Sequence, residues 1–274
     1  MTTKAPTMGD QHAARSVIEE LLRQQSTTPK RTGLGRFFGV SPLGLDSVSW
    51  YLGAKGELAV GQILATLPPE WTAFHAVPIG KKGADIDHVV IGPGGLFTLN
   101  TKNHRGKGVW VAGTTLMISG HRVPHLRNAE HEADRVTRLL RERMPRLAAA
   151  QPVIALVDPK SLTIKKTPER VKVITAAGLR RWLLAQPLVF GAAELAEVAA
   201  IIDDPATWPT PVFPPTEQPL AAFRALDAEV RQAHARSTLW KLSGIGASAA
   251  AALMVVPPLL TVLINAYLGG VDTP

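Results

Sequence analysis

The sequence contains no cysteine among its 274 residues, and this absence narrows the classes of protein to consider. Without cysteine there can be no disulfide framework and no metal site built from thiolates. The lack of disulfides fits a reducing compartment. Residues 1–10 also lack the basic-then-apolar pattern of a signal peptide, so we expect that the N-terminus is not exported.

Acidic residues are fewer than basic residues. The chain has 22 Asp and Glu against 30 Lys and Arg, which gives a net charge of +8 at pH 7 and a pI of about 10.0. An excess of positive charge favours polyanionic partners, either nucleic acid or anionic lipid. Alternatively, the excess belongs to a membrane-proximal protein whose basic residues set its orientation.

Charge is missing altogether from the 30 residues between Leu242 and Val271. About 20 apolar residues suffice for a helix to cross a bilayer, so we predict a transmembrane segment over 242–268. The alternative is a buried core helix, and Pro257-Pro258 would kink a helix of either kind. Basic residues before the segment and Asp272 after it predict a single-pass protein of the cell membrane, with its N-terminal bulk in the cytoplasm.

Composition divides the chain into four parts. Residues 1–45 hold a short amphipathic helix and a basic loop, and residues 46–203 alternate between helical and strand patterns. Residues 204–241 begin with a proline-rich spacer and end in a juxtamembrane helix, ahead of the predicted span over 242–268. We expect the α/β part to carry the function.

Two consecutive strands stand out within that part. Residues Asp85–Ile91 and Leu96–Lys102 are rich in β-branched and apolar side chains, and Gly92-Pro93-Gly94-Gly95 between them marks a turn. Glycine-rich phosphate cradles join a strand to a helix, whereas this glycine-rich run joins two strands. It is therefore interpreted as a plain hairpin turn.

The polar side chains of these strands fall on defined faces. Because side chains alternate along a strand, Asp85 and Asp87 share one face of the first strand, and Asn100 and Lys102 share one face of the second. Two acids, an amide and a lysine on paired strands are hard to explain as core filling. They are candidate functional residues.

These residues carry a family resemblance when they are taken in order with Gly56-Glu57 on a predicted helix. The sequence Asp85-Ile86-Asp87-His88, then the Gly-Pro-Gly-Gly turn, then Asn100-Thr101-Lys102 resembles the nuclease-related domain (NERD) family. That family is similar to the restriction-endonuclease-like superfamily of PD-(D/E)xK nucleases. The resemblance implies an α/β fold with a restriction-endonuclease-like core: a helix, a three-stranded mixed sheet with hairpins, a second helix and further strands.

The resemblance also implies roles for individual residues. Glu57 corresponds to the helix acid, Asp87 to the strand aspartate and Lys102 to the catalytic lysine, while Asn100 stands where the pattern usually has glutamate. The side chains of Glu57, Asp87 and Asn100, with the peptide carbonyl of Thr101, would hold Mg²⁺ or Mn²⁺. The implied activity is metal-dependent hydrolysis of phosphodiester bonds in DNA or RNA, without a small-molecule cofactor.

Basic and histidine side chains near these strands are the expected contacts to nucleic acid: Lys81, Lys82, His88, His104, Arg105, Lys107 and Arg127. Arg127 directly precedes a predicted amphipathic helix over Asn128–Arg143. An ordinary solvated surface is the alternative for these basic residues. A structural zinc site is the alternative for the histidines, although none shows a recognised metal-binding spacing on a helix.

A second function, from a different class, also accounts for these features. Asn100 in place of glutamate favours a catalytically decayed nuclease fold that binds nucleic acid or acts as a membrane-tethered scaffold. The joint presence of Glu57, Asp87 and Lys102 favours an enzyme.

Overall fold

A computed structural model describes residues 6–80, 85–211 and 217–268. In the last helix, side chains are described for residues 217–243 and for Leu259, Leu260 and Leu263. The chain divides into two compact units: residues 1–26 with 45–222, and residues 27–44 with 223–274.

The elements follow one another in an alternating α/β order. They are α1 (Arg15–Ser26), α2 (Gly33–Phe37), α3 (Ser47–Leu64), β1 (Thr72–Pro78), β2 (Asp85–Gly92), β3 (Gly95–Asn103), β4 (Gly108–Ala112), β5 (Thr115–Ile118), β6 (His121–Val123), α4 (His125–Arg141), β7 (Gln151–Val157), β8 (Ser161–Lys166), β9 (Lys172–Thr175), α5 (Ala176–Leu184), α6 (Ala192–Asp203) and α7 (Glu217–Leu268).

The central sheet of the first unit has five strands in the order β1-β2-β3-β7-β9. The first three strands pair antiparallel, and β3, β7 and β9 pair in parallel. Parallel pairing needs a long crossover, which the segment containing α4 provides between β3 and β7. The mixed sheet is thus larger than the three strands expected, and a second sheet, β6-β5-β4-β8, lies beside it.

Helices cover both faces of the central sheet. On one face, α4 packs on β3 and β7 and α6 packs on β1 and β2, around a core that includes Val89, Ile91, Val136, Leu140 and Ile202. On the other face, α3 and α5 pack around a cluster that includes Val60, Leu64, Val90, Phe97, Leu99, Val153 and Leu183. Because both faces of the sheet are covered, the middle of β2 and β3 is almost wholly buried. Burial on both faces explains why these strands have nearly consecutive apolar residues.

The second unit is small and includes α2 and most of α7. Three of its aromatic rings, those of Phe37, Phe38 and Trp240, contact one another with centroids 5.0–5.3 Å apart. The indole Nε1 of Trp240 donates a hydrogen bond to the carbonyl oxygen of Phe37 at 3.0 Å. These contacts hold α2 against α7.

The transmembrane helix predicted over 242–268 is contradicted, and the predicted cell-membrane localisation with it. In the part of the chain that the structure describes, no helix is both long enough and apolar enough to cross a bilayer. Residues 242–268 form the C-terminal part of α7, and most of their side chains lie outside the described residues. The prediction rested on the absence of charge between Leu242 and Val271, and absence of charge does not by itself make a helix span a bilayer.

Candidate active site

The site lies where β2 and β3 separate. Their ladder runs from Gly92 and Gly95 to His88 and Leu99 and ends there. Two residues further along β3, the backbone N–H of Thr101 donates a hydrogen bond to Asp87 Oδ2 at 2.5 Å. The carboxylate of Asp87 therefore accepts from an N–H that continued strand pairing would have satisfied. Asp87 is held at this point of separation, which we call the fork.

Helix α3 brings the second carboxyl group to this fork. A Cβ atom added at Gly56 would lie 3.2 Å from Asn103 Cβ and 3.3 Å from Thr101 Cγ2, so glycine allows the helix to approach β3 closely. The next residue, Glu57, is only 7% exposed. Close packing of α3 on β3 thus places a buried glutamate beside Asp87 and Lys102, which both influence its charge.

Burial and mutual repulsion act on the two carboxyl groups. Burial raises the pKa of Glu57 above its ordinary value, the charges of Asp87 and Asp85 raise it further, and Lys102 opposes them. The pKa of Asp87 is also raised by burial, against the lowering effects of Lys102 and of the Thr101 N–H. A buried pair of acids in this condition gains from a nearby cation, because the cation offsets both the lost hydration and the repulsion.

The side chain of Asn100 stands where the resemblance leads us to expect glutamate. The two ends of its amide, Nδ2 and Oδ1, lie in different surroundings. Its Nδ2 donates hydrogen bonds to Glu132 Oε1 at 2.9 Å and to Glu132 Oε2 at 2.8 Å. Its Oδ1 is buried and has no hydrogen-bond partner among the described residues. Buried acceptors are rarely left in this state, so the free oxygen marks a place for a donor or a cation.

Sequence reasoning missed Glu132, which lies on α4. The pattern over Asn128–Arg143 was interpreted as an apolar face and a solvated charged face. Glu132 is three residues after Ala129 and four before Val136, both buried, so it belongs to the apolar stripe. An acid on a buried stripe was the available signal for a functional role.

Two histidines lie beside Lys102. The rings of His104 and His125 are stacked, with centroids 5.6 Å apart and planes at 22°. Burial lowers the pKa of His125 to about 4 and also lowers that of His104, and the charge of Lys102 adds to both effects. His125 was not among the predicted site residues, because α4 begins at His125 and the helix was predicted to begin three residues later.

The other predicted contacts to nucleic acid are only partly available. Arg105, Lys107 and Arg127 are exposed. Lys81 and Lys82 lie outside the described residues. His88 is 0% exposed and lies on the opposite side of β2 from Asp87, with its Nδ1 2.8 Å from His75 Nδ1, so it cannot reach a phosphate in this structure. Alternation along β2 explains the difference, since consecutive side chains point to opposite faces.

The acids, amide and lysine suit a hard cation bound through oxygen. Across the described residues, no group of three or more histidine or acidic side chains is arranged to hold a metal ion, which gives the zinc alternative no support. Mg²⁺ does not require such a group: it keeps several waters and is commonly held by one or two carboxylates. Glu57, Asp87 and the unpartnered Oδ1 of Asn100 fit that requirement.

Comparison with known proteins agrees with the resemblance read from the sequence. Residues 52–157 match the family model described as the nuclease-related domain, NERD. The matched range runs from α3 through β7 and includes every residue of the fork. Searches of curated proteins and of solved structures found no match.

Proposed function

We propose that this nuclease-related domain hydrolyses phosphodiester bonds of nucleic acid with the help of a divalent metal ion. The observation that carries the proposal is the meeting of Glu57 and Asp87 with Lys102 at the fork between β2 and β3. Hydrolysis of a phosphodiester needs negative charge to be offset at the phosphate and a water to be activated. Acids that bind a cation and a lysine that contacts phosphate meet these needs together.

Glu57, Asp87 and Asn100 Oδ1 would hold Mg²⁺ or Mn²⁺, and the resemblance adds the peptide carbonyl of Thr101. A bound ion of this kind polarises the scissile phosphate and lowers the pKa of a coordinated water. The N–H of Thr101 keeps one oxygen of Asp87 in place, which leaves the other oxygen for the metal. Burial of Glu57 excludes bulk water from that side of the site.

Lys102 and the exposed basic residues would act on the substrate. The ammonium of Lys102, which is close enough to the acids and to the two histidines to affect their pKa values, would orient the attacking water and offset charge that develops on the phosphate. Arg105, Lys107 and Arg127 would hold neighbouring phosphates, because phosphate contacts position a nucleic acid without reading its sequence.

The test is a cleavage assay on the full chain with end-labelled single- and double-stranded DNA and RNA. Cleavage should require Mg²⁺ or Mn²⁺, stop with a chelator and be absent from Asp87→Asn. Cleavage that persists in Asp87→Asn would show a contaminant or another site. Wild-type protein that neither cleaves these substrates nor binds metal would overturn the proposal.

A second candidate is binding of nucleic acid without cleavage. Asn100 is neutral, and this favours binding without cleavage. Within the described ranges, no three acidic or histidine side chains are grouped to hold a metal ion, which favours it as well. Each phosphate contact releases counterions, so affinity would fall with salt at a log–log slope of about −0.9 for every phosphate neutralised on duplex DNA. Steep salt dependence together with no metal binding would select this candidate over the nuclease.

A further inference from the structure

We propose that Glu132 is a positioning residue of the metal site. It turns the amide of Asn100 so that Oδ1 faces away from the helix and into the site, and it supplies through that amide a negative charge that Asn100 itself lacks. The inference rests on the proposed function, because it assigns a role toward the same metal ion.

The geometry of the Asn100 amide supports this role for Glu132. An asparagine side chain has a donor end and an acceptor end of nearly the same shape, so its orientation depends on its partners. Both oxygens of Glu132 accept from Asn100 Nδ2, at 2.9 and 2.8 Å. Turning the amide over would bring Oδ1 against the two carboxylate oxygens of Glu132. Three acceptor oxygens would then face one another without a hydrogen between them. Glu132 therefore selects one orientation.

The surroundings of Asn100 Oδ1, at the other end of the amide, support the same role. Asn100 is only 9% exposed, and in the part of the chain that the structure describes its buried Oδ1 has no hydrogen-bond partner. A buried acceptor without a donor is unfavourable, whereas an oxygen ligand to a cation is satisfied. The orientation that Glu132 enforces thus presents the acceptor end of the amide where a ligand would be needed.

The negative charge of Glu132 also supports its role at the metal site. The amide of Asn100 brings no negative charge, so Glu57 and Asp87 are the only acids proposed as direct ligands. Glu132 is close enough to raise the pKa of Asp87, so its charge is felt at the site. A carboxylate that accepts from a ligand's N–H makes that ligand a better donor to a metal, as outer-shell carboxylates commonly do.

The experiment is a calorimetric titration of the full chain with Mn²⁺ alone. Glu132→Gln keeps the shape but removes the charge and the selection of one amide orientation, and we expect affinity to fall about tenfold to a hundredfold. Glu130→Gln is the matched control, since it removes an acid from the same helix without contact to Asn100, and its affinity should equal that of the wild type. Thermal unfolding without metal checks that both variants are folded.

An exchange variant makes the test independent of stability. Asn100→Asp/Glu132→Gln transposes the carboxylate and the amide with no change in size or net charge, and it retains a hydrogen bond between the two positions. Because the carboxylate then faces the metal directly, binding should recover at least to the wild-type affinity.

The outcomes separate the two proposals. Wild-type binding of Mn²⁺ with equal binding by Glu132→Gln would overturn the role of Glu132 and leave the metal site standing. Binding by the exchange variant that is weaker than by Glu132→Gln alone would also overturn it. No binding by the wild type would overturn the metal site and, with it, the role of Glu132.

Discussion

The backbone N–H of Thr101 donates to Asp87 Oδ2 at 2.5 Å, at the point where β2 and β3 stop pairing. The contact joins the two halves of the motif that the resemblance identified: the strand acid and the residue between the amide and the lysine. It also explains why the acid stays at the fork although burial raises its pKa.

Asp87→Asn should abolish binding of Mn²⁺, because an amide can still accept from Thr101 but brings no charge to the cation. Stability should change little or rise, since a buried acid that repels Glu57 is removed. Calorimetry and urea unfolding at pH 7 measure the two effects. Asp134→Asn, at an exposed acid of α4 paired with Arg170, is the control and should bind Mn²⁺ as the wild type does. Equal affinities in both variants would remove Asp87 from the ligand set.

Lys102→Ala should leave Mn²⁺ binding little changed and lower the cleavage rate by about a hundredfold or more. Lysine is not a ligand to the metal, and its charge is instead placed to act on the phosphate. Lys107→Ala, at an exposed lysine, should weaken substrate binding at low salt without this loss of rate. A Lys102→Ala variant that cleaves at the wild-type rate would exclude the proposed role.

Gly56→Val should destabilise the protein by about 1–3 kcal/mol, because the side chain would push α3 from β3 at Thr101 and Asn103. Gly53→Val on the same helix is the control: a Cβ there meets only Val17 Cγ1, at 3.4 Å. Urea unfolding measures both changes in the free energy of unfolding. Mn²⁺ affinity should fall in Gly56→Val only, since Glu57 moves with the helix. Similar losses of stability in the two variants would count against a close approach at Gly56.

The buried pair His75 and His88 should make stability depend on pH. Burial lowers the pKa of His75 to about 4, with a further contribution from His12, and lowers that of His88 well below 6.5. The folded protein then binds fewer protons than the unfolded chain between about pH 4 and 6.5. This contribution to the free energy of unfolding therefore rises with pH in that window and is lost as the pH falls, by about 2 kcal/mol for His75 at pH 5, and His88 contributes in the same direction.

The measurement is urea unfolding at pH 7 and pH 5. In His75→Gln/His88→Gln the two side chains can still hydrogen-bond but cannot titrate, so the difference between the two pH values should shrink. His121→Gln removes an exposed histidine and should leave the difference as in the wild type. An unchanged difference in the double variant would show that the pair is not the source.

Several features of the fold and site could be predicted from local sequence. Alternation of side chains and the Gly92–Gly95 run predict β2, β3 and their turn, which the structure confirms. The order of Glu57, Asp87 and Lys102 along the chain was enough to identify the family, which the match over residues 52–157 confirms. These signals are readable because strand periodicity and turn chemistry act between residues close in sequence.

Other features were decided only by the tertiary structure. Glu132 reaches Asn100 because β7 pairs in parallel with β3, so the crossover lays α4 over the fork. His88 is buried against His75 because β1 pairs with β2 in a register that sets them opposite each other. The sequence by itself indicated Glu57, Asp87, Asn100 and Lys102 as the candidates for chemistry at this site. Which of them meet, and which are buried, depends on pairing between strands distant in sequence, and local periodicity carries no information about that pairing.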